Sequence, residues 1–116
     1  MGAFIGEGEP VLLQTVTIFE GMGLDRPQPL GLRYRVPAGR TAGMFYFRAG
    51  STVSGMVNIS VTRNGKLMRY FPIAANSAMH VPLAIIEELP EGTLIEVLAA
   101  GEGSGTLILD IGYLEV

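Results

Sequence analysis

Apolar residues recur with a period of two over short stretches, and no stretch keeps helical three-and-four spacing long enough to form a convincing helix. Val11 to Phe19 is rich in β-branched residues, with Leu12, Val16 and Ile18 on one pleat face and Thr15 and Thr17 on the other. Leu32, Tyr34 and Val36 alternate with Arg33 and Arg35, which reads as a strand with its polar side out. Phe45 and Phe47 share a face opposite Met44, Tyr46 and Arg48, and Val57, Ile59 and Val61 alternate with Asn58, Ser60 and Thr62. Val81, Leu83 and Ile85 suggest a further strand, and a closing strand buries Leu107, Leu109, Ile111 and Tyr113.

The turns between these stretches carry their own chemistry. Asn64-Gly65 is a strong hairpin signal, because a type I′ turn needs positive φ at both central residues. With that pair as the loop, Arg63 faces Lys66, Val61 faces Met68, Ile59 faces Tyr70 and Val57 faces Pro72, while Phe71 falls on the mixed face. Pro90-Glu91-Gly92 is a tight turn, and Leu94 to Ala99 with Thr106 to Val116 is expected as a second hairpin around Gly101 to Gly105. About eight short strands separated by turns predict an all-β fold, an antiparallel β-sandwich or jelly roll. One β-sandwich domain over 11–116 is expected, preceded by an arm over 1–10 in which Phe4 and Ile5 contact another chain.

Composition changes the picture in two ways. Cysteine is absent, which excludes a disulfide framework, thiolate zinc sites and iron–sulfur clusters. Charged residues make up 16% of the 116 residues, below the average of about 25%, so part of the surface is expected to be covered by other chains. Their placement is also uneven. All eight basic residues lie between Arg26 and Arg69, a stretch without Asp or Glu, while Glu7, Glu9, Glu20 and Asp25 precede it and seven acidic residues follow. Either basic strands lie beside acidic ones within the sheet, or Arg33, Arg35, Arg40, Arg48 and Arg69 form an interface with acidic groups of another chain, a use that suits the planar guanidinium.

Candidate chemistry is sparse. His80 is the single histidine and is expected at a strand edge or interface; a metal site would have to combine it with Glu87 and Glu88, whose spacing matches no known ligand set. The glycine clusters are not followed by Lys-Ser/Thr, so they do not form a phosphate loop. Net charge is −3 and no nucleic-acid motif is present, which argues against a nucleic-acid partner. No apolar run approaches a membrane span, and no basic n-region opens the chain, so a soluble, cytoplasmic protein without an anchor is expected. No catalytic, metal or cofactor-binding residue is therefore assigned, and the chain is not expected to be an enzyme. A carbohydrate-binding β-sandwich module is the alternative, with Tyr46 or Phe71 exposed on a groove.

Taken together, the opening Gly6-Glu7-Gly8-Glu9-Pro10, the Val57 to Tyr70 hairpin, and the closing Gly92 to Val97 and Thr106 to Asp110 segments resemble the jelly-roll head-decoration, or cement, proteins of tailed bacteriophages. The resemblance implies a non-enzymatic trimer or other symmetric homo-oligomer that binds the major capsid protein lattice on the outside of the virion. It carries over no signature residues.

Overall fold

The computed structural model describes residues 8–116, so the expected contacts of Phe4 and Ile5 lie outside the described residues. Eight strands follow in chain order: β1 (Glu9–Glu20), β2 (Gly23–Arg35), β3 (Ala42–Ser51), β4 (Val57–Arg63), β5 (Lys66–Ile73), β6 (Ala78–Pro82), β7 (Leu94–Gly101) and β8 (Ser104–Glu115). They form two four-stranded antiparallel sheets, ordered β1-β8-β3-β6 (sheet A) and β2-β7-β4-β5 (sheet B). Every connection except β4–β5 crosses from one sheet to the other, and this interleaving is the double Greek key of a jelly roll.

The core between the sheets is built from alternate residues of each strand. Ile59 and Val61 of β4, Ile95 and Val97 of β7, and Leu107, Leu109, Ile111 and Tyr113 of β8 are all buried. The buried face expected for the closing strand is therefore the observed one. Pro27 and Pro29 lie within β2, an edge strand, the position in a sheet where proline is tolerated.

Four expectations are corrected. The hairpin turn forms as expected, with Asn64 at φ 50° and Gly65 at φ 80°, but a bulge between Val61 and Thr62 shifts the register beyond it. Ile59 faces Phe71 and Ser60 faces Tyr70, so Phe71 is buried and Tyr70 points out. Burying Phe in place of Tyr leaves no hydroxyl in need of a partner inside the core.

Second, β7 and β8 are not a hairpin, since they belong to opposite sheets. The chain between them crosses the end of the sandwich against the backbone of residues 52–56. A Cβ on Gly101 would stand 2.9 Å from the Met56 carbonyl oxygen, and one on Gly105 2.9 Å from the Val53 nitrogen, so glycine is required for this approach.

Third, β6 ends at Pro82, and Ile85 is exposed on the segment leading to Leu89, which bridges to Ala42. Fourth, a bulge between Met44 and Tyr46 turns Met44 inward to join Phe47, while Tyr46 and Arg48 face out. The first strand keeps its expected pleat faces, but the more apolar one is turned outward. Phe19 shares parity with Thr15 and Thr17, and its ring takes that face into the core.

Candidate functional site

The outer face of sheet A has two halves. On the β1 side, Leu12, Val16 and Ile18 stand in a row, and Val16 faces Ile108 of β8 across the ladder. Val16 is 70% and Ile18 79% exposed. Gln14 interrupts the row between Leu12 and Val16, so the continuous apolar group is Val16, Ile18 and Ile108, larger than the isolated exposed apolar residues that are ordinary on a surface. Strand β1 is also the edge of its sheet, and among the described residues no strand pairs with its outer side. A long edge with apolar outward side chains and no Lys is what free-standing sheets avoid.

On the β3 and β6 side the same face is polar. Gln14, Asp110, Arg48 and His80 form one cross-strand row. Asp110 organises it: its Oδ1 accepts from the Tyr46 hydroxyl at 2.9 Å and from Gln14 Nε2 at 3.2 Å, and Arg48 Nη1 lies 3.9 Å from Oδ2. The Tyr46 ring lies over Gly112, where there is no side chain to obstruct it. Burial first, and then the Asp110 hydrogen bond, raise the Tyr46 pKa above its ordinary value. His80 is exposed on the edge strand β6, its ring edge-on to Tyr46 at 6.1 Å. On the β3 and β6 side, Gly50 and Ala78 leave an open depression of about 450 Å³ bordered by Arg48, His80 and Ile108.

The arginines singled out from the sequence are distributed over the molecule. Arg33 pairs with Glu96 at 3.5 Å on sheet B, Arg35 donates to the Gly92 carbonyl, and Arg40 lies 3.8 Å from Glu9 at one end of the sandwich. Arg63 and Arg69 each reach Glu87 at 3.3 Å. Of the five arginines of the expected interface set, Arg48 alone lies on the face with the apolar row. The acidic ends of the chain thus supply partners for its basic middle, and pairs this exposed contribute roughly 0–1 kcal/mol each. Glu87 is held by two guanidiniums, and among the described residues no three His, Cys, Asp or Glu side chains converge as a metal site would need.

Phe71 is not available as an exposed aromatic platform, because its ring stacks on Phe47 inside the core. Tyr70 takes that place, 61% exposed on sheet B. Adjacent aromatics at 70 and 71 signal that one of the two must face out, but which one depends on the bulge. The outward row of β1 has a similarly weak sequence signal, because both of its faces carry apolar residues.

No protein-family model matches the sequence. No curated protein matches it either. Solved structures are similar in fold. A family 35 carbohydrate binding module from Clostridium thermocellum has a TM-score of 0.51 at 15% identity, covering 90% of this chain and 97% of that one. The insecticidal delta-endotoxin Cry8Ea1 from Bacillus thuringiensis has a TM-score of 0.50 at 11% identity, covering 85% of this chain and 19% of the toxin. At these identities the likeness is one of fold, a β-sandwich.

Proposed function

We propose that this chain is a non-enzymatic assembly protein that associates with further copies of itself through β1 and the outer face of sheet A. The observation that carries this reading is the outward row Leu12, Val16 and Ile18 on an unpaired edge strand, with Ile108 beside it. Burying a large aliphatic side chain fully is worth about 1.5–3 kcal/mol, so these four exposed ones supply a useful fraction of a contact energy. The molecule measures 41 × 24 × 21 Å, which gives its broad face roughly 1,000 Å². A stable interface needs about 800 Å² per partner.

The low charge content supports the same reading, because a surface with few charges is one that other chains can cover at small desolvation cost. In its particular form the proposal is a head-decoration protein of the tailed-phage kind, a symmetric homo-oligomer seated on the outside of a capsid lattice. The eight-stranded jelly roll is compatible with that form but common to many functions.

Solution mass is the test. The chain should be oligomeric at micromolar concentration, and Val16→Asp with Ile18→Asp should return it to a monomer of unchanged thermal stability. A monomeric unsubstituted chain would remove the proposal; failure to sediment with tailed-phage capsids would remove only its decoration form. Assembly through sheet A leaves the outer face of sheet B free, so carbohydrate binding there does not compete with it.

A further inference from the structure

The outer face of sheet B holds a groove of about 380 Å³, within the range of about 300–1,000 Å³ usual for small-molecule sites. Its floor is β4, where Val57, Ile59 and Val61 point into the core and Asn58, Ser60 and Thr62 therefore point out. Ser60 faces Tyr70 of β5 on one side and Leu98 of β7 on the other. The far wall comes from an irregular stretch of β2. Gly23 pairs with Gly101 and Gln28 with Ala99, so residues 24–27 all stand opposite Ala100 and bulge outward, bringing Leu24 and Asp25 to the rim.

The groove therefore alternates apolar and hydrogen-bonding surfaces. Tyr70 and Leu98 offer hydrocarbon, and Asn58, Ser60 and Asp25 offer an amide, a hydroxyl and a carboxylate. Among the described residues, these three polar side chains have no hydrogen-bond partner within the protein, whereas Thr62 Oγ1 reaches the Glu96 carbonyl at 3.5 Å. Ser60 is nonetheless buried as a residue, and it lines the groove. Uncommitted polar groups beside an exposed aromatic ring suit a ligand with a C–H face and a rim of hydroxyls. The charge narrows the class further: the lining has a carboxylate in Asp25 and no cation, which disfavours phosphate, uronate and nucleic acid.

We propose that this groove binds a neutral saccharide, with Tyr70 stacking on the C–H face of one pyranose ring and Asn58, Ser60 and Asp25 hydrogen-bonding its hydroxyls. The inference is independent of self-association, since it uses the opposite sheet.

The test is a ¹⁵N-labelled spectrum of the intact chain titrated to millimolar concentration with soluble neutral hexasaccharides of glucose, galactose, mannose and xylose, and with an oligogalacturonide. Saturable shifts confined to amides of 24–26, β4, β5 and the Leu98 to Ala100 part of β7 are expected with at least one neutral sugar and none with the uronide. Tyr70→Ala should weaken binding about tenfold, Tyr70→Phe should restore it, and both variants should keep the thermal midpoint because Tyr70 is exposed. Silence with all four neutral sugars, equal binding by Tyr70→Ala, or shifts elsewhere on the molecule would overturn the proposal. So would concentration-dependent broadening of this face without sugar, which would make it a contact between copies.

Discussion

Phe47 of β3 and Phe71 of β5 lie face to face across the sandwich, their ring centroids 4.0 Å apart and their planes within 2°. The pair fixes both outer faces of the molecule. With Phe47 turned in, Arg48 must point out on sheet A, and with Phe71 turned in, Tyr70 must point out on sheet B. Phe71→Ala should therefore destabilise the fold by about 3–5 kcal/mol, and Phe71→Leu by clearly less, as measured by urea unfolding. Equal effects of the two would mean that volume filling by itself restores nothing and that the stabilisation lies in the ring contact.

Gly112 carries the Tyr46 ring, and any Cβ there must displace it. Gly112→Ala should cost about 1–3 kcal/mol and break the Tyr46–Asp110 hydrogen bond. In a Tyr46→Ala background the same substitution should be nearly neutral. A double-mutant cycle with no coupling between the two sites would contradict this packing.

Three tyrosines make stability sensitive to high pH. Burial raises the pKa of Tyr113 well above 10, and burial together with the Glu115 hydrogen bond does the same for Tyr34; Tyr46 is raised more modestly. The unfolded chain loses these protons near pH 10 while the folded chain keeps them, so the stabilising effect is complete below pH 10 and is lost as pH rises above it. For Tyr113, which is almost fully buried, the loss approaches about 1.4 kcal/mol per pH unit. Thermal midpoints should fall above pH 10, and less steeply in Tyr113→Phe. Because the Tyr113 hydroxyl has no partner, that variant should lose little or no stability at pH 7. An identical pH slope in the variant would rule out Tyr113 as a source of it.

Arg48 and Arg33 separate the two sheets as contact surfaces. Arg48→Glu sets a carboxylate beside Asp110 on the outer face of sheet A and should weaken self-association, more so at low salt. Arg33→Glu faces Glu96 on sheet B and should leave the oligomer intact, with a stability change within about 1 kcal/mol. Light scattering at two salt concentrations distinguishes them. The reverse pattern would move the contact to sheet B.

Much of the architecture was legible in the sequence because strand alternation is a local property. The β4 core residues, the Asn64-Gly65 turn and the buried face of β8 all follow from period and turn chemistry. The features that decide function were less legible, since each depends on a contact distant in sequence. One extra residue in the β4–β5 ladder exchanges Tyr70 for Phe71, and no propensity places that bulge. The β7–β8 connection has hairpin composition, yet its glycines serve a close crossing over residues 52–56. In β1 either face could have been buried, and the outcome rests on Phe19. The arginine-rich middle segment is plain in the sequence, but the carboxylates that meet it become visible only when distant strands are paired.

Sedimentation equilibrium of the intact chain beside the Val16→Asp, Ile18→Asp double variant tests self-association through β1 most directly. Both positions are exposed, so the substitutions should leave the thermal midpoint unchanged. The unsubstituted chain should sediment as a discrete oligomer at micromolar concentration and the variant as a monomer. Equal masses for the two, whether both monomeric or both oligomeric, would contradict the assignment of β1 and the outer face of sheet A as the contact.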